Sequence, residues 1–212
     1  MQTWKIPRLW ERKTVAVLAS GPSMSKSVAD EVLAAGLPAI AINNTFLLAP
    51  WADMLYAADA AWWHAHPAAA QFQGLRVTVQ DVPGTLKLRC SGPAGFDPHP
   101  GAVRSGGHSG HQAVHIAMHA GARRILLCGF DMRGTHWHGQ HLEPLRNTDA
   151  ATYGRWVEQF AELRNSAISL GIEIVNVTPG SALTCFPAMT LGEALQQSRG
   201  DLDVQARTIA AA

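Results

Sequence analysis

The chain has 212 residues, 47% of them hydrophobic and 16% charged, and its 17 Lys and Arg against 16 Asp and Glu leave a formal net charge of +1. This excludes a disordered chain and a global field that gathers nucleic acid or anionic membrane, and the length suits one domain with a sizeable core. Cys90, Cys128 and Cys185 form an odd set without a CxxC pair, which fits a reducing compartment, and no stretch approaches the roughly 20 apolar residues of a membrane span.

The opening MQTWKIPRLWERKT lacks the apolar core of a signal peptide, so a cytoplasmic location is expected. Residues 14–19 (TVAVLA) are a short β-branched run that stops at Ser20-Gly21-Pro22-Ser23; residues 25–37 then repeat Val28, Val32, Leu33 and Leu37 at helical spacing. That pattern predicts strand, turn and helix. Residues 38–43 (PAIAIN) and 53–57 (DMLYA) predict strands ending near Asn43 and Asn44 and near Asp59, and their continuous apolar character predicts burial on both faces. Residues 75–79 and 86–90 predict strands in a middle section punctuated by Pro and Gly.

From Ser109, SGHQAVHIAMHAGA places Ala113, Ile116, Ala117 and Ala120 on one helical face. Residues 124–129 (RILLCG) predict a strand leading to Asp131, residues 150–170 a long helix with Trp156, Phe160 and Leu163 inward, and residues 172–177 (IEIVNV) the next strand. The alternation predicts an α/β fold: a Rossmann-like, mostly parallel sheet with helices on both faces, a single domain over residues 1–198, and a flexible tail over 199–212.

In an open sheet of this kind a ligand binds beyond the carboxyl ends of the strands. That edge collects Ser20 to Ser23, Asn43 and Asn44, Asp59, Asp131 to His141, and Thr178 to Ser181. SGPS is either a phosphate-binding turn at a helix N-terminus or a tight turn capped by Ser23 or Ser25. A second such turn, Ser105-Gly106-Gly107-His108-Ser109-Gly110, opens the helix from His111. Asn43 suits a ribose or a base, and Asp59 a ribose hydroxyl. His111, His115 and His119 form an i, i+4, i+8 stripe that reads as a solvated helix face in preference to a metal site.

The stretch GTHWHGQH packs His136, Trp137, His138 and His141 together and admits three readings. A zinc site would use the three histidines with Asp131, a general base needs one imidazole near a hydroxyl, and an exposed polar loop needs nothing.

Taken in order, VAVLASGPSM, AINN, SGHQAVHIAMHAGARRILLCGFDM, THWHGQH and VTPGSAL resemble the bacterial sialyltransferases of glycosyltransferase family 42, and also the superfamily that includes archaeal 6-hydroxymethylpterin diphosphokinase. The THWHG loop resembles proteins of tailed phages and prophages. The resemblance runs from about Val15 to Leu183. It implies that Gly21-Pro22-Ser23, Asn43 and Ser109-Gly110 contact the nucleotide of a CMP-sugar-like donor, and that the histidine loop supplies the base, His141 ahead of His138. Two positions depart from the family: its asparagine before GPS is Ser20, and its tyrosine after the GID-like segment is Arg133, which can neutralise a leaving phosphate directly.

The expectation is a glycosyltransferase-like enzyme that needs no metal. Its catalytic residues are His141, His138 and Arg133; its donor site is Ser20, Gly21, Pro22, Ser23, Asn43, Asn44, Asp59, Ser109, Gly110 and Asp131. The partners expected are a nucleotide or nucleotide-sugar and an acceptor hydroxyl, with no membrane, no strong nucleic-acid signal, and a homo-oligomer left open. The alternatives are an ATP-dependent phosphotransferase with Mg on Asp131 or Asp59, and a phage nucleotide-binding protein without turnover.

Overall fold

Five residues without a charge, Thr14–Leu18, form β1, the strand around which a computed structural model describing residues 3–143 and 145–198 is organised. It is followed by α1 (Lys26–Ala34), β2 (Ala39–Ile42), β3 (Met54–Tyr56), α2 (Ala60–Ala65), β4 (Leu75–Thr78), β5 (Leu86–Lys87), β6 (Arg89–Cys90), β7 (Ala102–Val103), α3 (Ser109–His119), β8 (Arg124–Cys128), α4 (Ala150–Ser169) and β9 (Glu173–Asn176). Among the described residues seven strands make one sheet in the order β5-β4-β3-β2-β1-β8-β9, every pair parallel. The fold is the expected α/β arrangement. Residues 199–212, expected as a tail, lie outside the described residues.

The strand residues alternate between two cores, as the period of two requires. Val15, Val17, Ile40, Ile42, Ile125 and Leu127 face α3 and α4, while Ala16, Leu18, Ala39, Ala41, Leu126 and Cys128 face α1 and the helical segment at 191–198. Each strand of the centre is therefore buried on both sides, which is why its sequence reads as a continuous apolar run. No helix among the described residues is long and apolar enough to cross a membrane.

Two expectations need correction. The run at residues 86–90 splits at buried Leu88: its first half pairs with β4 at the sheet edge, and its second half leaves to pair with β7 in a separate two-stranded ladder. The histidine stripe is not solvated, because α3 is buried along its whole length, with His111 and His115 at 0% exposure. The segment from Gly92 to Arg104 lies against it: Phe96 stacks on His115 at 4.5 Å, and the Arg104 N–H donates to His115 Nδ1 at 3.2 Å. His115 Nε2 lies between the Asp97 carbonyl at 3.2 Å and the Asp97 N–H at 3.3 Å; with Nδ1 accepting from Arg104, Nε2 is assigned the proton and the carbonyl as its acceptor.

Candidate functional site

Strand order reverses between β1 and β8, since β1 continues to β2 on one side while β8 docks on its other. The loops leaving those two strands diverge there and leave a cleft. Its empty space is about 570 Å³, mouth included, and its walls bring together Ser20, Gly21, Asn43, Ser109, Gly110, Asp131, Arg133 and His136.

The floor is made by two turns pressed together. The Gly21 N–H donates to the Gly129 carbonyl at 3.0 Å, and a Cβ built on Gly21 would lie 2.1 Å from Asp131 Oδ2 and 2.4 Å from that carbonyl. Glycine is required by this close approach. Asp131, 5% exposed, accepts from the Ser23 N–H at 3.3 Å and from the Ser23 hydroxyl at 2.8 Å. The next donor, the Met24 N–H, is taken by the Gly21 carbonyl, and α1 itself is capped by Ser25. The Gly21 and Ser23 N–H groups are thus spent inside the protein, and the anion held by Ser23 is the chain's own carboxylate. Ser23 lines a different cavity beside Thr178 and Gly180, and Pro22 is exposed outside the cleft.

Other expected residues divide in the same way. The Ser20 hydroxyl donates to the Ile42 carbonyl at 3.0 Å and lies 2.9 Å from the Thr45 hydroxyl, so it ties β1 to β2 while its backbone borders the cleft. Asn43 sits in the left-handed region at φ 50° at the cleft wall. Its neighbour Asn44 turns away, buried, to accept from Trp62 Nε1 at 2.7 Å. Asp59 is exposed and does not line the cleft. Asp59 and Asp131, the alternative Mg ligands expected for a phosphotransferase, thus lie apart, the first outside the cleft and the second engaged by Ser23.

Opposite the SGPS turn, α3 brings its N-terminus to the cleft. His108 caps it, its Nδ1 accepting from the Gly110 N–H at 3.1 Å, and its ring stacks on Trp156 of α4 at 4.4 Å. The Ser109 hydroxyl accepts from the Ala58 N–H at 3.2 Å. Arg133 projects from the loop after β8 and has no ion-pair partner among the described residues; a Cβ on Gly180 would lie 2.8 Å from its Nη2, so Gly180 leaves it room. Sequence reasoning missed Tyr153 and Trp156, which α4 contributes to the same cleft. The signal lies in the helical pattern: the spacing turns Trp156 inward, and Tyr153 lies one helical turn before it on the same face.

The histidine loop is anchored by the Trp137 N–H donating to the Ser20 carbonyl at 3.1 Å. A turn from His136 to Gly139, closed by the Gly139 N–H on the His136 carbonyl at 3.0 Å, folds His136 and His138 together with ring centroids 5.0 Å apart. His141 joins them at 4.3 Å and 4.9 Å. Its backbone is bracketed by the Asn147 amide, which accepts from the His141 N–H at 2.8 Å and donates to its carbonyl at 3.0 Å. Burial lowers all three imidazoles; His138 and His141, pressed further by neighbouring rings, fall to about 4. Of the three, His136 lines the cleft, and His138 and His141, the bases expected from the sequence, are outside its lining.

No family model, curated protein or solved structure matches the chain.

Proposed function

We propose that the cleft between β1 and β8 binds a nucleotide-sugar of the CMP-sugar type and that the chain transfers the glycosyl group to an acceptor hydroxyl. The observation that carries this reading is the meeting of Asn43, the α3 N-terminus at Ser109-Gly110, and Arg133 around one cleft at the strand-order reversal. Phosphate is favoured at a helix N-terminus and beside a guanidinium, and polar amides suit a base or ribose. The motif order resembling family 42 sialyltransferases supports the same assignment.

In the proposed step the bond between the anomeric carbon and the phosphate oxygen breaks, the electron pair leaves with the nucleotide, and Arg133 neutralises the growing charge. The acceptor oxygen forms the new bond to the anomeric carbon, and its proton is removed at the histidine loop, through His136 on the cleft wall. The SGPS turn is given a supporting part: it holds Asp131 and lets the two strands close up. Tyr153 lines the same cleft as Arg133 and offers a phenol to the leaving phosphate.

Calorimetric titration with CMP, UMP, GMP and AMP and with CMP-linked sugars tests the binding claim. A preference for CMP is expected, with every nucleotide bound more weakly by Arg133→Ala; indifference to every nucleotide overturns the reading. Product formation from labelled CMP-sugars tests transfer, and tight binding without release of CMP would leave a nucleotide-binding protein in place of an enzyme.

A further inference from the structure

We propose that His136, His138 and His141 bind one divalent transition-metal ion, with a remaining coordination position open toward the cleft. One nitrogen from each ring can be chosen so that all three lie within 4.8 Å of one another. Tetrahedral zinc with nitrogen ligands at about 2.0–2.1 Å separates those nitrogens by roughly 3.3 Å, a contraction that rotation about the side-chain torsions supplies.

Two further observations point to a ligand here. His136 Nδ1 and His138 Nε2 are buried without a hydrogen-bond partner. Buried ring nitrogens are ordinarily paired, and a metal ion satisfies the lone pairs that the fold leaves bare. The backbone carrying the rings is also held in place: Gly139 takes the turn at φ 86°, the Thr135 hydroxyl donates to the Gly139 carbonyl at 3.1 Å, and Asn147 clasps His141 from both sides. The i, i+2, i+5 spacing meets because of this turn.

The donor set selects the ion class. Three imidazoles without a thiolate or carboxylate suit Zn, Co, Ni or Cu and do not suit Mg or Ca. Asp131, the fourth ligand that the sequence suggested, is committed to Ser23 and does not complete the set. Three protein nitrogens leave a position for water or a substrate oxygen, and His136 on the cleft wall puts it on the side where an acceptor would enter. An oxygen bound there becomes more acidic. With the three imidazoles occupied as ligands, the proton of an acceptor hydroxyl acidified there would pass to solvent water in the open cleft instead of to a bare imidazole.

The site stands independently of glycosyl transfer, and its test reads metal alone. The untagged full chain is loaded with zinc, dialysed and assayed by elemental analysis, and in parallel titrated with Co(II) while its visible absorption is followed. About one ion per chain and intense four-coordinate Co(II) bands are expected, unchanged in His64→Ala, which alters an exposed histidine, and at least about tenfold weaker in each of His136→Ala, His138→Ala and His141→Ala. Failure of the wild-type chain to retain zinc, or retention unaffected by the three loop variants, overturns the proposal. Circular dichroism identifies any variant that does not fold; for that position, zinc protection of the wild-type histidine from diethyl pyrocarbonate replaces it, and unprotected histidines overturn the site. Nucleotide titration of the same samples separates the two claims, since metal retention without nucleotide binding sinks only the function proposed above.

Discussion

Asp131 and Ser23 lie 108 residues apart in sequence, and the carboxylate of one accepts both the backbone N–H and the hydroxyl of the other. The contact joins the loop after β8 to the turn after β1 at the point where the sheet reverses its order. Its chemistry is that of a phosphate at a helix start, with the chain supplying the anion. Asp131→Ala leaves the Ser23 N–H without its acceptor and is expected to lower stability by about 1–3 kcal/mol, read as a drop in the urea midpoint at constant m-value.

Gly21 is coupled to the same carboxylate. Gly21→Ala forces a Cβ to within 2.1 Å of Asp131 Oδ2 and 2.4 Å of the Gly129 carbonyl, so the two turns must part. The expected cost is about 1–3 kcal/mol, larger than for an ordinary surface glycine. Removing the carboxylate relieves one of the two clashes. The double variant Gly21→Ala with Asp131→Ala should therefore lose less than the sum of its singles in equilibrium unfolding; strict additivity would show that the turns yield independently.

Arg133 is exposed, unpaired among the described residues, and placed at the cleft, so its removal should spare the fold and weaken nucleotide binding. Arg133→Ala is expected to reduce affinity about tenfold or more, as for loss of one charged hydrogen bond, with an unchanged melting temperature. Arg133→Lys should recover part of it, because a lysine keeps the charge but not the fork. Calorimetry at two salt concentrations checks the assignment: the wild-type affinity should fall with salt more steeply than that of the alanine variant.

The sheet was legible because burial on both faces leaves long apolar runs, and β1, β2, β8 and β9 each show one. The cleft was legible for the same reason, since knowing where strands end locates their carboxyl edge. Pairings within that edge were not. Nothing local distinguishes Asn43, which faces the cleft, from Asn44, which reaches back to Trp62, and Ser23 carries the same phosphate-turn signature whether its partner is a ligand or Asp131. The histidines of α3 misled because their spacing is that of a helix face; what hides them is the segment from Gly92 to Arg104, whose one strand, β7, is two residues long and pairs with the equally short β6, too little to leave a periodic signal.

Asn43 separates backbone strain from ligand contact. At φ 50° a glycine sits without penalty, so Asn43→Gly should leave stability within about 1 kcal/mol of the parent while deleting the side chain on the cleft wall. Asn43→Val, branched at Cβ, should instead destabilise by roughly 1–2 kcal/mol. If the glycine variant binds nucleotide as well as the parent in calorimetry, Asn43 serves the turn alone.

The histidines buried along α3 make stability depend on pH. Burial pushes His111 down to about 4 and His115 down to about 3, with the adjacent His119 ring adding to the latter and the Asp97 carbonyl opposing it, while His108 and His119 are also lowered by burial. The ordinary imidazole value near 6.5 belongs to the unfolded chain, so between about 6.5 and 4 the unfolded state binds protons that the folded state refuses. The stabilisation is complete above that range and is lost as the pH falls through it, on the order of 1 kcal/mol per pH unit for each group kept neutral. Denaturant melts at pH 7.5, 6, 5 and 4 should show this slope. His115→Gln removes one titrating group and should flatten it by about one proton, even though the variant starts less stable through loss of the contacts with Arg104 and Asp97. A parent slope that the substitution does not change would assign the acid sensitivity to other groups and return His115 to a purely packing role.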